Sequence, residues 1–239
     1  MPSRSTGCAD RRIMPSTAAG HIGRARGLLE SSCTSGGGQS AHLWQAWACL
    51  ESRQRNHDKA RELFDAALAA DSQLSEAYHA WGVMEMRQVG VDNRTGSLPR
   101  EESSCERARV LQGNLAKAQD LLVKGLRAAQ STGNDVSVTY AYSSLGQLCE
   151  RMGKLDEARR WYSEGTKTKL GSNNFVLWSS WALLESQGGT EAAQVRYLFG
   201  RALDINPRHR HTYLAAARFE AGQGNKATAR ELFQRGENP

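Results

Sequence analysis

Apolar and small residues along this 239-residue chain fall into two alternating stripes. Trp44, Trp47, Ala48 and Glu51 stand at i, i+3, i+4 and i+7, the spacing of one helix face. The spacing returns at Tyr78, Trp81, Gly82 and Glu85, then at Tyr142, Leu145, Gly146 and Cys149. It returns twice more, at Trp178, Trp181, Ala182 and Glu185 and at Tyr213, Ala216, Ala217 and Glu220. With Trp44 as position 4 of a 34-residue unit, these columns are positions 4, 7, 8 and 11. A second stripe follows each first one, at positions 20, 24 and 27. It reads Ala60, Phe64, Ala67; Ala118, Leu122, Gly125; Ala158, Tyr162, Gly165; Val195, Phe199, Ala202; and Ala229, Phe233, Gly236.

Each pair of stripes predicts a helical hairpin. Gly153, Gly188, Gly189 and Gly224 lie between the stripes, where a helix must end and the chain turn. Small residues at 8, 20 and 27 let backbones approach, and large ones at 4, 7 and 24 fill the space beside them. One hairpin cannot bury both of its faces, so the units are expected to stack. The fold class is all-α, a right-handed α-solenoid of about five hairpins. Ala25, Leu28 and Leu29 repeat the second-helix stripe upstream of the first full unit. Residues 21–239 are therefore read as one repeat domain, preceded by a disordered segment at 1–20. With no polar capping helix legible at either end, the chain is expected to be a fragment, or the product of a truncated gene model, of a longer array.

The register breaks once. Removing Val89–Gln112 joins Gln88 to Gly113 without a gap. This irregular insertion at 89–112 has two readings that the sequence leaves open. One is a surface loop between two helices, which costs little extra closure entropy. The other is a retained intron, since an in-phase intron can begin in a Val codon and end in a Gln codon. A second irregularity, Ala129–Val136, predicts a longer linker than the period implies.

Composition narrows the chemistry. Apolar residues make up 39% and charged residues 23%, ordinary for a globular chain with a sizeable core. No apolar run of ~18 residues exists, so no membrane insertion is expected. The five cysteines form no paired motif, which points to neither a disulfide framework nor a metal site and fits a reducing compartment. A net charge of +6 permits an anionic partner without demonstrating one. No phosphate loop, nucleophile elbow or zinc-protease motif is present. The reading is accordingly no enzyme, no catalytic residues, no metal and no cofactor.

The third unit, with Tyr142, Leu145, Gly146, Ala158, Tyr162 and Gly165, resembles a tetratricopeptide repeat (TPR). The others look more like the half-a-tetratricopeptide (HAT) variant, which has aromatics at 4 and 7, Glu at 11 and Arg at 21. This chain shows Trp44, Trp47, Glu51, Arg61; Trp178, Trp181, Glu185, Arg196; and Tyr213, Glu220, Arg230. Unit two carries Gln119 in place of Arg, and unit three carries Cys149 in place of Glu but keeps Arg159. The mixture resembles the chloroplast messenger-maturation factors more than the spliceosomal crooked-neck type. An unpartnered carboxylate at position 11 would be costly, and Arg can bond one bidentately. Glu51–Arg61, Glu185–Arg196 and Glu220–Arg230 are thus expected to brace their own hairpins, and Glu51→Ala is expected to destabilise the fold without changing ligand preference.

The resemblance implies that the first helices line a concave groove, with positions 2, 5 and 13 pointing into it. Position 13 offers Arg53, Arg87 and Arg151, suited to phosphate oxygens. His42, Tyr140 and His211 at position 2, with His79 at position 5, can stack on or bond unpaired bases. Arginine near a helix C-terminus also offsets the helix dipole, so those three need no RNA to explain them. Arg208-His209-Arg210-His211 adds local positive charge. The implied function is an RNA-processing or RNA-stabilising adaptor that binds single-stranded RNA in the groove, with other RNA-processing proteins as further partners. The alternative is a TPR-like protein-interaction scaffold holding a peptide or helix. Met1–Leu29 has five Arg against the single acid Asp10, compatible with an organelle transit peptide. The expected location is the chloroplast, with the nucleus as alternative.

Overall fold

The computed structural model describes residues 16–34, 40–95 and 104–237, with side-chain surroundings for 21–33, 40–88 and 112–237. Among the described residues there are α-helices, turns and one 3-10 turn, and no strand. The chain divides into two compact units, residues 1–70 and 71–239. Of the segment expected to be disordered, residues 1–15 lie outside the described residues, and a helix opens at Ser16.

The first unit holds α1 (Ser16–Thr34), α2 (Ala41–Arg53) and α3 (His57–Ala70). α2 packs on both α1 and α3. Trp47, Ala48, Ala60, Phe64 and Ala67 are all buried, as the stripes require.

The second unit holds four hairpins. They pair α4 (Ser75–Thr95) with α5 (Ser104–Thr132), α6 (Asp135–Arg151) with α7 (Leu155–Lys167), α8 (Phe175–Gln187) with α9 (Ala192–Ile205), and α10 (Arg210–Gly222) with α11 (Lys226–Glu237). A 3-10 turn at Gly171–Asn173 links the second and third. The first helices touch in sequence, α4 to α6, α6 to α8 and α8 to α10, whereas the second helices make no comparable contact with one another. First helices closer together than second helices put the first helices on the inner wall of this unit. The middle of Val89–Gln112 lies outside the described residues; α4 runs to Thr95 and α5 begins at Ser104. The longer linker expected at Ala129–Val136 is instead absorbed into regular structure. α5 continues to Thr132, Gly133 turns the chain with φ +68°, and α6 starts early at Asp135.

The small-residue columns work as matched pairs. A methyl group on Gly146 would lie 2.4 Å from the Tyr162 ring, and one on Gly82 would lie 2.8 Å from Leu122. Position 8 is therefore the slot into which position 24 inserts. Gly125, Gly165 and Gly236 each sit against the Cβ of Tyr78, Tyr142 and Tyr213 in the same way, so position 27 receives position 4. The hairpin turn is also repeated. Gly153, Gly189 and Gly224, all at position 15, take φ of +73°, +72° and +82°, and Arg55 is forced into the same region at +62°.

The Glu–Arg brace exists, but not with the expected partners. Glu51 receives Arg26 Nε and Nη2 at 2.6 and 2.8 Å. Glu185 receives Arg159 Nε at 3.1 and 3.2 Å, and Glu220 receives Arg196 Nε and Nη2 at 2.6 and 3.1 Å. Each Arg belongs to the preceding hairpin, which corrects the pairs Glu51–Arg61, Glu185–Arg196 and Glu220–Arg230. The reason is geometric. Positions 20, 24 and 27 face their own first helix, and position 21 lies about 100° further round, toward the next repeat. Arg61 bonds Asp58 one turn back, at 2.8 Å.

Further donors complete the carboxylates. Trp47, Trp81 and Trp181 donate their indole N–H to Glu51, Glu85 and Glu185 at 3.1, 2.9 and 2.9 Å. Asn56 and Asn225, from the hairpin turns, donate to Glu51 and Glu220 at 3.1 and 2.7 Å, and Thr190 donates to Glu185. The bond from Arg26 leads the effects that hold the Glu51 carboxyl below its ordinary pKa, and the bond from Arg196 does the same for Glu220. One junction lacks the brace. Gln119 replaces its Arg and buried Cys149 its Glu, so both charges are gone together. Burial and the neighbouring Glu157 push the Cys149 thiol up to about 11.

Candidate nucleic-acid interface

Where the brace is missing, α4 and α6 are joined by a line of polar contacts. At one end the Glu76 carboxylate accepts Asn134 Nδ2 at 2.7 Å and Ser137 Oγ at 3.2 Å. Next along, His79 Nε2 and Ser144 Oγ lie 2.9 Å apart. At the far end Arg151 Nη1 donates to the Met86 carbonyl at 2.9 Å. Burial alone would raise the Glu76 carboxyl. Hydrogen bonds from its own backbone N–H, Ser75, Ser137 and Asn134 outweigh it and hold the pKa below the ordinary value.

Four of the seven expected site residues cluster on this seam. The His79 and Tyr140 rings are 6.1 Å apart at a 40° tilt. Tyr140 is 55% exposed, which leaves its outer side open to a ligand. His79 is half-buried; burial and the Arg87 charge lower its pKa, against a smaller opposing effect of Glu76. Its surroundings therefore favour the uncharged imidazole. Arg87 and Arg151 are exposed. Arg151 is the last residue of α6 and fits the helix-dipole explanation, but α4 continues eight residues past Arg87, so that explanation does not reach it. An exposed aromatic ring binds an unpaired base by stacking, and guanidiniums on the same two helices bind phosphate oxygens.

The other three lie elsewhere. His42 and Arg53, both exposed, stand at opposite ends of α2 in the first unit. His211 opens α10 and is grouped with residues that the periodicity did not single out. Its ring lies 5.6 Å from His209, which packs 4.6 Å from Phe175 and bonds Thr212 Oγ1 through Nδ1 at 2.7 Å. Ser179, Ser180 and Leu183 complete a shallow depression of about 130 Å³ there. Ser144, the hydrogen-bond partner of His79, was also missed, because a serine at position 6 carries no pattern. The Trp residues at 4 and 7 are not ligand-facing. Trp47, Trp81 and Trp178 are buried, and Trp44 and Trp181 half-buried, in the packing stripes.

Among the described residues, no group of three His, Cys, Asp or Glu is placed to hold a metal, and no helix is long and apolar enough to cross a membrane.

Comparison with known proteins agrees with this architecture. A family model described as Tetratricopeptide repeat matches residues 18–82. The chain is 34% identical over 190 residues to the PsbB mRNA maturation factor Mbb1, chloroplastic, of Chlamydomonas reinhardtii. That match covers 80% of this chain and 25% of the relative, so the chain spans about a quarter of that protein. Over 50 residues it is 50% identical to Protein high chlorophyll fluorescent 107 of Arabidopsis thaliana, covering 21% of this chain and 8% of the relative. Among solved structures, pilF of Pseudomonas aeruginosa superposes with a TM-score of 0.65 at 17% identity, covering 90% of this chain and 82% of that one, which shows a shared fold. Hairpin architecture, repeat match and relatives agree: the chain is an all-α, tetratricopeptide-like helical-repeat protein, similar to the chloroplast messenger-maturation factors.

Proposed function

We propose that this chain binds single-stranded RNA along the inner wall of its first helices and serves as an adaptor in messenger maturation rather than as an enzyme. The observation that carries the reading is the α4–α6 seam, where the exposed Tyr140 ring lies beside His79 and the same two helices carry the exposed Arg87 and Arg151 further along. Aromatic faces accept any unpaired base, and guanidiniums grip phosphate without reading sequence. His42 and Arg53 on α2, and His211 on α10, supply the same chemistry on their own surfaces. A relative whose name makes it a chloroplastic mRNA maturation factor supports both the RNA reading and a chloroplast location.

The test is fluorescence anisotropy of the full chain with labelled single-stranded RNA over a salt series. Affinity should fall with a log–log slope of about −0.7 per phosphate neutralised. Tyr140→Ala and Arg87→Ala should each weaken binding about tenfold at an unchanged melting temperature, since both side chains are exposed. Arg151→Ala should lose stability as well, because it also bonds the Met86 carbonyl. Equal binding by Tyr140→Ala and Arg87→Ala would refute the assignment and favour a peptide-holding scaffold.

A further inference from the structure

Two of the second helices carry an opposite-charge pair one turn apart, at positions 26 and 29 of the repeat. Glu164 and Lys167 pair on α7 at 2.7 Å, and Arg201 faces Asp204 on α9 at 4.0 Å. At the same positions α5 has Lys124 and Arg127, two exposed cations that repel each other at i, i+3. Asp120 bonds Lys124 from one turn back, at 2.7 Å. Among the described residues no carboxylate bonds Arg127.

The two cations border a pocket. Lys124, Arg127 and Ser131 of α5, Tyr78 of α4, and Ser72 and Gln73 just ahead of α4 line a depression of about 320 Å³, with no acidic residue in its wall. Ser131 donates to Gln73 Oε1 at 2.9 Å, which ties the approach to α4 onto the end of α5. The Tyr78 hydroxyl is close enough to the Lys124 ammonium to act on its charge, and it has no protein partner among the described residues. The pocket is separate from the inner wall. Tyr78 packs its Cβ on Gly125 of α5, whereas His79, the next residue, turns to Ser144 of α6. An ammonium, a guanidinium and a phenol that converge without an acid among them suit the oxygens of a phosphate. The volume falls in the range of small-ligand sites, about 300–1,000 Å³, which leaves room beside the oxyanion for the molecule that carries it. We propose that this pocket binds a small phosphate monoester, its phosphate on Arg127 and the Tyr78 hydroxyl and its sugar or nucleoside body in the remaining space.

Adenosine 5′-monophosphate and glucose 6-phosphate are the probes, each titrated into the full chain by calorimetry, with adenosine and glucose as controls that lack the phosphate. At least one phosphate ester should bind saturably, and neither control should. Arg127→Glu should weaken that binding about tenfold or more through loss of a charged hydrogen bond. Its melting temperature should hold or rise, because a carboxylate at that position pairs with Lys124 as Glu164 does with Lys167. Tyr78→Phe, which keeps the packing on Gly125 and removes only the hydroxyl, should weaken binding severalfold. Affinity for single-stranded RNA should be unchanged in Arg127→Glu, since the inner wall is untouched. Failure of both esters to bind the folded chain, equal binding by the controls, or binding unaltered by Arg127→Glu would overturn the proposal. So would weakened RNA binding in Arg127→Glu with neither ester bound, which would give the pocket to the phosphates of a strand.

Discussion

Arg196 crosses from α9 to α10 and holds Glu220 through two hydrogen bonds, of 2.6 and 3.1 Å. The carboxylate is nearly buried while the guanidinium is half open to solvent, with side-chain exposures of 5% and 47%. That asymmetry decides what each deletion does. An abandoned arginine can rehydrate where it stands, whereas an abandoned carboxylate stays where water reaches it poorly. Arg196→Ala should therefore lower the melting temperature by about 3 °C or more, and by more than Glu220→Gln. The exchange Arg196→Glu with Glu220→Arg should recover only part of it, because the arginine would then occupy the buried end. The same carboxylates make the fold acid-sensitive. Glu51 and Glu220 titrate below the ordinary value of 4.5 in the folded chain. Their contribution is complete above that value and is lost as pH falls through the lower folded values. Urea midpoints from pH 7 to 3 should drop most steeply below about pH 4.5, and less steeply in Glu220→Gln.

Gly146 and Gly200 should respond to alanine in opposite ways. At Gly146 the new methyl meets the Tyr162 ring at 2.4 Å, inside a fully packed pair of helices. Overpacking there should cost about 1–3 kcal/mol, with Tyr162→Leu relieving part of it. At Gly200, within α9, nothing lies within 4 Å of the added atom. Alanine there should stabilise by about 0.5–1 kcal/mol through helix propensity. Chemical denaturation of both variants measures the contrast.

Arg55 occupies the turn position that glycine takes at 153, 189 and 224, with φ +62°. A side chain in the left-handed region costs about 1–2 kcal/mol. Arg55→Gly should therefore raise stability by about 1 kcal/mol, less the greater freedom of glycine in the unfolded chain. A decrease in the denaturation midpoint would show that Arg55 makes a contact worth more than its strain.

By itself the sequence determined the helices, their pairing into hairpins and the packing stripes. Amphipathic spacing is a local property, and a tryptophan at position 7 has nowhere to go but the interior. It also marked glutamate and arginine as partners by type. What the sequence could not decide was which arginine each glutamate meets. A periodic pattern looks the same after a shift of one period, so an Arg in the same repeat and one in the preceding repeat are equivalent on paper. Only the packed helices, with position 21 turned toward the next repeat, break that tie. The same limit applies to the candidate site. Tyr140 and His79 are 61 residues apart and gain their meaning from the contact of α4 with α6, as do Arg151 and Met86. The extra turn on α5 and the early start of α6 were likewise invisible, because residues outside the repeat carry no register from which to read a helix.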